Sequence, residues 1–321
     1  TGQPTDKKMS SMAFYAYRLM QRRDSYDFLL RCGPLLHQYV VDMFAKVQSE
    51  RLRYIRTHQK VLRADQYATL RDQMAADGDA AEQGQRVVLP SSFTGSPRYM
   101  MEKTQDALVY VRKFGRPSLF ITLTCNPTWD EIQRELKPGQ KHDERHDLTA
   151  RVFREKVKVL IKLLKEKMIF GPVQCYVYTI EWQKRGLPHA HLLLWLKTRV
   201  PPAELDNLIS AELPDPDLDP ELFKIVTKNM VHGPCGDENP ASVCMQNGKC
   251  TKTFPRSFVP ETKSDQSGYP LYRRRSSDNG GITASIRQRG KVVRIDNRWI
   301  VPYSPVLLRV FQCHLNVEYC A

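Results

Sequence analysis

The stretch Glu181-Trp-Gln-Lys-Arg-Gly-Leu-Pro-His-Ala-His-Leu-Leu-Leu-Trp195 admits few backbone solutions. Apolar-rich runs flank a Gly-Leu-Pro turn, which predicts a strand, a tight reversal and a second strand. Pro188 fixes its own φ and keeps the residue before it out of the helical region. A helix here would splay His189 and His191 by about 200° around its axis. On a strand both lie on one face instead, with Cα atoms about 6.6 Å apart. Glu181 and Gln183 share a face of the preceding strand. The hairpin therefore predicts two imidazoles converging on one metal ion, with Glu181 or Gln183 as third donor, while Ala190, Leu192 and Leu194 turn into a core.

The 321 residues carry a net charge of +14, an imbalance that favours a polyanionic partner. No run approaches the roughly 20 apolar residues of a bilayer-spanning helix, so no membrane partner is expected. The N-terminus lacks both an initiator Met and a signal-like apolar run, which predicts an internal piece of a longer protein. No phosphate-loop motif is present, so an ATPase is not expected within these residues. Of eight cysteines, Cys32, Cys125 and Cys175 stand alone in apolar or helical contexts that suit free thiols. The clustering of the others fits a reducing compartment better than a disulfide scaffold.

Four segments are expected. Residues 1–85 read as helical, with helices over 11–22 and from Gly33-Pro34 onward; Leu36, Val40, Met43, Phe44 and Val47 mark an apolar stripe on the second. Residues 86–200 read as an α+β core: a helix starting at Ser96-Pro97, a strand over 118–125, a Thr128/Glu131 capping box, an amphipathic helix over 149–168 and the histidine hairpin. The fold class is thus α+β, a central antiparallel sheet with packed helices. Residues 201–262 form an acidic linker and a Cys/His loop, and 263–321 a basic β-hairpin region.

Within the third segment, His232, Cys235, Cys244 and Cys250 lie in Gly-, Pro- and Asn-rich sequence that can bury little apolar surface. Three thiols and one imidazole suit a structural Zn²⁺. Cys313, His314 and Cys320 offer a weaker second set. In the fourth segment Tyr272, Arg273, Arg274, Arg275, Arg287, Arg289, Lys291, Arg294 and Arg298 predict a basic face edged by Tyr272 and Trp299. Cations tracking a backbone while rings stack on bases would grip single-stranded nucleic acid.

Several motifs together resemble one family. Phe120-Ile-Thr-Leu-Thr-Cys-Asn-Pro127, the 181–191 hairpin, Met230-Val-His-Gly-Pro-Cys235, Asp296-Asn-Arg-Trp299 and Leu89-Pro-Ser-Ser-Phe-Thr-Gly-Ser-Pro-Arg-Tyr99 resemble the replication-initiator-like nuclease region of Helitron transposases. The resemblance implies an HUH-type nuclease sheet that nicks single-stranded DNA at transposon ends, in a nuclear setting. It further implies a helicase domain elsewhere in the full-length protein. His189 and His191 match the family's metal histidines, with Glu181 as third ligand, Gln183 as runner-up and Mg²⁺ or Mn²⁺ as the ion. The family's nucleophilic tyrosines sit on a helix expected beyond Ala321, and Tyr319 has no companion at helical spacing. Two rival readings are a non-catalytic single-strand-binding module and a small-nucleotide phosphoesterase, which would need no basic strands.

Overall fold

The protein is described from a computed structural model, which covers residues 8–22, 25–59, 87–183, 186–265, 269–288 and 290–320. The chain divides into two units, Thr1–Arg112 with Leu136–Asp147, and Lys113–Glu135 with Leu148–Ala321. No described helix is long and apolar enough to cross a membrane.

The first unit is helical. It contains α1 (Ser11–Arg18), α2 (Pro34–Thr57) and most of α3 (Pro97–Phe114). Pro34 opens α2 at a position whose N–H has no intrahelical partner. Leu36 and Val47 of the expected stripe are buried, whereas Phe44 is exposed. At the head of α3 the Ser96 hydroxyl accepts the Tyr99 N–H at 3.0 Å, an ordinary N-cap. Arg145 is buried and grips Asp147 through two N–H···O bonds of 3.0 and 3.1 Å.

The second unit is built on a four-stranded antiparallel sheet. Its strands are β1 (Leu119–Thr124), β2 (Val173–Trp182), β3 (Pro188–Leu196) and β10 (Leu315–Tyr319). Their order across the sheet is β10-β1-β3-β2. One face is core: Leu119, Ile121, Leu123, Ala190, Leu192, Leu194, Leu315 and Val317 are all buried. The short α4 (Asp130–Gln133) departs from the expected capping box. Trp129 is its N-cap residue, Asn126 Oδ1 takes the Thr128 N–H at 2.9 Å, and Glu131 turns to Lys156 at 2.6 Å. An ion pair to a neighbouring helix won over a local cap. That neighbour is the amphipathic α5 (His146–Lys165), which buries Phe153, Val157, Leu160 and Leu164 at helical spacing.

Beyond the sheet lie α6 (Pro202–Leu208), α7 (Pro220–Asn229), α8 (Pro305–Phe311) and three two-stranded ribbons. The ribbons pair β4 (Met245–Gln246) with β5 (Lys249–Cys250), β6 (Lys263–Ser264) with β7 (Pro270–Leu271), and β8 (Ala284–Gln288) with β9 (Lys291–Ile295). The boundaries expected at 200 and 262 therefore fall inside one unit, because β10 returns to complete the sheet that β1 begins. Local composition carries no sign of that long-range pairing.

The polar centre of this unit is Glu212, only 5% exposed. Its carboxylate accepts the Arg275 backbone N–H at 2.7 Å, Arg275 Nη2 at 2.7 Å and Arg273 Nε at 3.1 Å. Beside it Arg274, 5% exposed, donates Nη1 to the carbonyls of Ala211, Asn297 and Ile300. Tyr272 is buried and its Oη accepts the Tyr319 N–H at 2.8 Å. Trp299 is buried too, and Arg298 is paired with Asp296 at 2.7 Å under the Phe258 ring. The sequence predicts that these residues face nucleic acid. Tyr272, Arg274 and Trp299 instead belong to the interior, and Arg273, Arg275 and Arg298 are held by acids. Glu212 lies about sixty residues upstream of the arginines, so the run Arg273-Arg274-Arg275 looks like a bare cationic patch only in isolation.

Burial alone would raise the Glu212 carboxyl, but hydrogen bonds from Arg275 and the nearby guanidinium charges hold it below its ordinary 4.5. A depressed carboxylate stabilises the fold fully above its unfolded value and loses that contribution as pH falls through the native one. Glu212→Ala is expected to cost about 2–3 kcal/mol, discounted for the part-exposed Arg273 and Arg275. Urea titration at pH 7 measures this loss. The stability gap between the native chain and Glu212→Gln should shrink as the pH drops below about 4.5.

Candidate metal centres

The two histidines of β3 share the face opposite the core. The ladder sets His189 between Thr124 of β1 and Glu181 of β2, and His191 between Thr122 and Thr179. Residues directly opposed across an antiparallel pair lie on the same face, so Glu181, His189, His191, Thr122 and Thr124 all project to one side. His189 Nδ1 meets Thr124 Oγ1 at 3.0 Å and His191 Nδ1 meets Thr122 Oγ1 at 3.2 Å. Both Nδ1 atoms are thus engaged, which orients the rings and leaves each Nε2 as the donor atom. His191 Nε2 lies 3.8 Å from Glu181 Oε2. The Phe120 ring stacks against His191 at 5.8 Å.

Gln183 lies past the end of β2, where its carbonyl accepts the Gly186 N–H at 2.8 Å in the turn. Glu181 instead stands in the ladder, directly across from His189. Burial pushes the His189 imidazole below its ordinary value; neighbouring His191 adds to this and Glu181 opposes it. The neutral ring is the form that ligates a metal. Two imidazoles and one exposed carboxylate share this face, without gathering as closely as the Cys/His group described below.

Three contributors escape a reading of the sequence. Thr122 and Thr124 announce themselves only weakly, as the two polar members of Phe120-Ile-Thr-Leu-Thr124 at strand spacing. His314 arrives from the far end of the chain, its carbonyl accepting the Thr124 N–H at 3.0 Å while its Nδ1 lies 3.4 Å from Thr124 Oγ1. The Thr124 hydroxyl therefore sits between two imidazoles. Burial, with the nearby His189 and His232, pushes His314 down. The weaker set expected at Cys313, His314 and Cys320 is not gathered among the described residues.

The second centre is gathered. The ligand atoms of His232, Cys235, Cys244 and Cys250 all lie within 4.8 Å of one another, and no other such group of His, Cys, Asp or Glu occurs among the described residues. His232 Nε2 and Cys250 Sγ are 3.4 Å apart. Tetrahedral Zn²⁺ with bonds of about 2.0–2.3 Å sets neighbouring ligand atoms about 3.4–3.8 Å apart, so the set needs little movement to close. Asn247-Gly248, both at positive φ, turn β4 into β5 and bring Cys244 beside Cys250. Gly233 adopts φ +87°, and a Cβ there would come within 2.7 Å of Cys235 N. The His232 ring is steadied by stacking on Phe254 at 4.2 Å and by its backbone N–H donating to Trp299 O. Burial, reinforced by the two neighbouring thiols, pushes Cys235 up to about 12. A bound cation reverses that penalty by favouring thiolates.

Of the remaining basic residues, Arg287, Lys291 and Arg294 are exposed on the β8–β9 hairpin. The register puts Arg287 and Arg294 on one face and Lys291 on the other. Arg289 lies outside the described residues.

Residues 14–194, more than half of the chain, match the family model described as the Helitron helicase-like domain at N-terminus. No curated protein matches.

Purified protein is expected to carry close to one zinc per chain by elemental analysis, falling to a small fraction in Cys244→Ser/Cys250→Ser. Chelation should lower the thermal midpoint of the native chain by several degrees and leave that variant unmoved.

Proposed function

The chain belongs to the Helitron helicase-like N-terminal domain family, and on that premise we propose that its sheet unit is the metal-dependent single-stranded DNA endonuclease and strand-transfer core of a rolling-circle transposase. The observation that supports this most is the common face of His189, His191 and Glu181, with both Nδ1 atoms taken by threonines. The donor chemistry fits a divalent ion. Two nitrogens and a carboxylate suit Mn²⁺ somewhat better than Mg²⁺, which prefers oxygen and water. When bound, the ion supplies Lewis-acid polarisation of a phosphate oxygen and stabilises charge developing in the transition state.

The protein's own residues prepare that site. Thr122 and Thr124 fix the ring planes of the two histidines, and the buried β3 backbone keeps their spacing. Glu181 adds negative charge at the exposed rim. The reaction is attack by a tyrosine phenolate on phosphorus: a Tyr Oη–P bond forms, the P–O3′ bond breaks, and the departing 3′-oxygen takes up a proton. The resulting 5′-phosphotyrosyl link conserves the energy needed for rejoining. The sheet's own tyrosines do not serve. Tyr176, Tyr178 and Tyr319 all stand on the face opposite the histidines by register, so none of the three reaches the metal face. That placement favours a second reading of the 321 residues taken alone, a binding module that grips metal and single-stranded DNA without cutting. The Cys/His cluster acts with either reading as a structural zinc clamp.

Mn²⁺ titration of the native chain is expected to saturate near one site beyond the zinc. His189→Ala/His191→Ala should weaken that site at least ~100-fold with the thermal midpoint retained. In a version extended to carry the family's tyrosines, the same double variant should abolish metal-dependent nicking. Undiminished nicking would overturn the assignment.

A further inference from the structure

The opposite face of the same edge strand carries features that the metal site does not use. On β3 the residues that alternate with the histidines, Ala190, Leu192 and Leu194, are buried as core should be. On β2 the residues of that same face are Tyr176, Tyr178, Ile180 and Trp182, and the last three are 43%, 43% and 51% exposed. They form one wall of a groove of about 490 Å³ whose other wall is α5, through Phe153, Arg154, Val157 and Lys158. A crease between helix and sheet is normally closed with aliphatic side chains, because unfilled apolar space forfeits dispersion attraction. Here it is open and lined with rings whose polar tips tolerate water.

Ring order and charge point to one kind of occupant. Tyr176 and Tyr178 lie nearly parallel, with an interplanar angle of 17° and centroids 6.3 Å apart. Lys165 Nζ stands 5.6 Å from the Tyr176 ring. The exposed side of α5 presents Arg151, Arg154, Lys158, Lys162 and Lys165. Lys158 and Lys162 meet Glu155 and Glu166 only in exposed pairs, which are worth little in water and yield readily to a phosphate. Aligned aromatic platforms beside a row of cations are the requirements of single-strand binding without sequence readout.

We infer that the groove between α5 and β2 is a second single-stranded polynucleotide track, stacking bases on Tyr178 and Trp182 and taking phosphates on Arg154 and Lys158. It lies on the reverse of the sheet from the histidines. Glu181 faces the metal side while its neighbours Ile180 and Trp182 face the groove, so a strand rounding the free edge of β2 passes from one site to the other. The inference rests on the nuclease reading only for the class of ligand, since binding in the groove needs no metal.

The test uses the 321-residue chain with zinc retained, no Mn²⁺ or Mg²⁺ added, and fluorescently labelled oligodeoxythymidine read by anisotropy. Tyr178→Ala is expected to weaken binding about tenfold, and Tyr178→Phe to restore it, because the stacking face is kept. Arg154→Gln/Lys158→Gln should flatten the dependence of log Kd on log salt by about 0.7 for each phosphate no longer neutralised. Unchanged affinity and salt slope in both groove variants, with matching thermal midpoints, would overturn the groove and leave the metal site untouched. So would loss of a dimer in Tyr178→Ala without loss of DNA binding, since a second copy would then be the occupant. If the groove variants lose binding while the extended protein shows no metal-dependent nicking, the track stands and the nuclease reading falls.

Discussion

The candidate metal face depends on the register of three strands. His189, His191 and Glu181 share a side only because β3 pairs with β1 and β2 as it does. A one-residue slip would turn both imidazoles into the core and bring Ala190 and Leu192 to solvent. What forbids the slip is burial: Ala190, Leu192 and Leu194 are each at most 2% exposed. Inverting three buried residues and two imidazoles costs several kcal/mol in transfer free energy alone. The threonines of β1 strengthen the choice, since only this register brings a hydroxyl to each Nδ1. Site geometry and core packing are therefore one constraint expressed on two faces.

The hairpin is legible in the sequence because its signals are local. Pro188, the turn and the apolar alternation all act within about fifteen residues, and each excludes the competing helix. The same holds for α2, α3 and α5, where proline starts and helical periodicity suffice. The Cys/His loop is legible from donor chemistry, although donor chemistry says nothing of the Asn247-Gly248 turn that unites Cys244 and Cys250. Opaque features all involve partners distant in sequence. His314 reaches Thr124 from 190 residues away, and Glu212 captures arginines some sixty residues later. A run of cations reads as a nucleic-acid patch until its counter-charge is located, and periodicity cannot locate it.

The protein's positive charge is consequently divided by role. Arg274 is an internal strut whose guanidinium, lowered to about 10 by burial, still remains protonated at neutral pH while satisfying three carbonyls. Arg273 and Arg275 bind Glu212 and fasten one loop to another. Cations on α5 and on the β8–β9 hairpin stay at the surface, where they contribute to the field felt by a polyanion. Net charge alone does not locate an interaction surface, because Arg274 is buried and Arg273 and Arg275 are tied to Glu212.

The pairing of Leu119 with Tyr319 sets an order of events during synthesis. A ribosome delivers β1, α5 and the β2–β3 hairpin early, yet one edge of β1 stays bare until β10 emerges. The zinc segment is made in that interval, between β3 and β10. Closing so long a loop adds only logarithmically to the entropy cost, so the burden falls on speed more than on final stability. A nascent chain of this kind exposes an apolar strand edge for as long as translation takes to cover the stretch from β3 to β10.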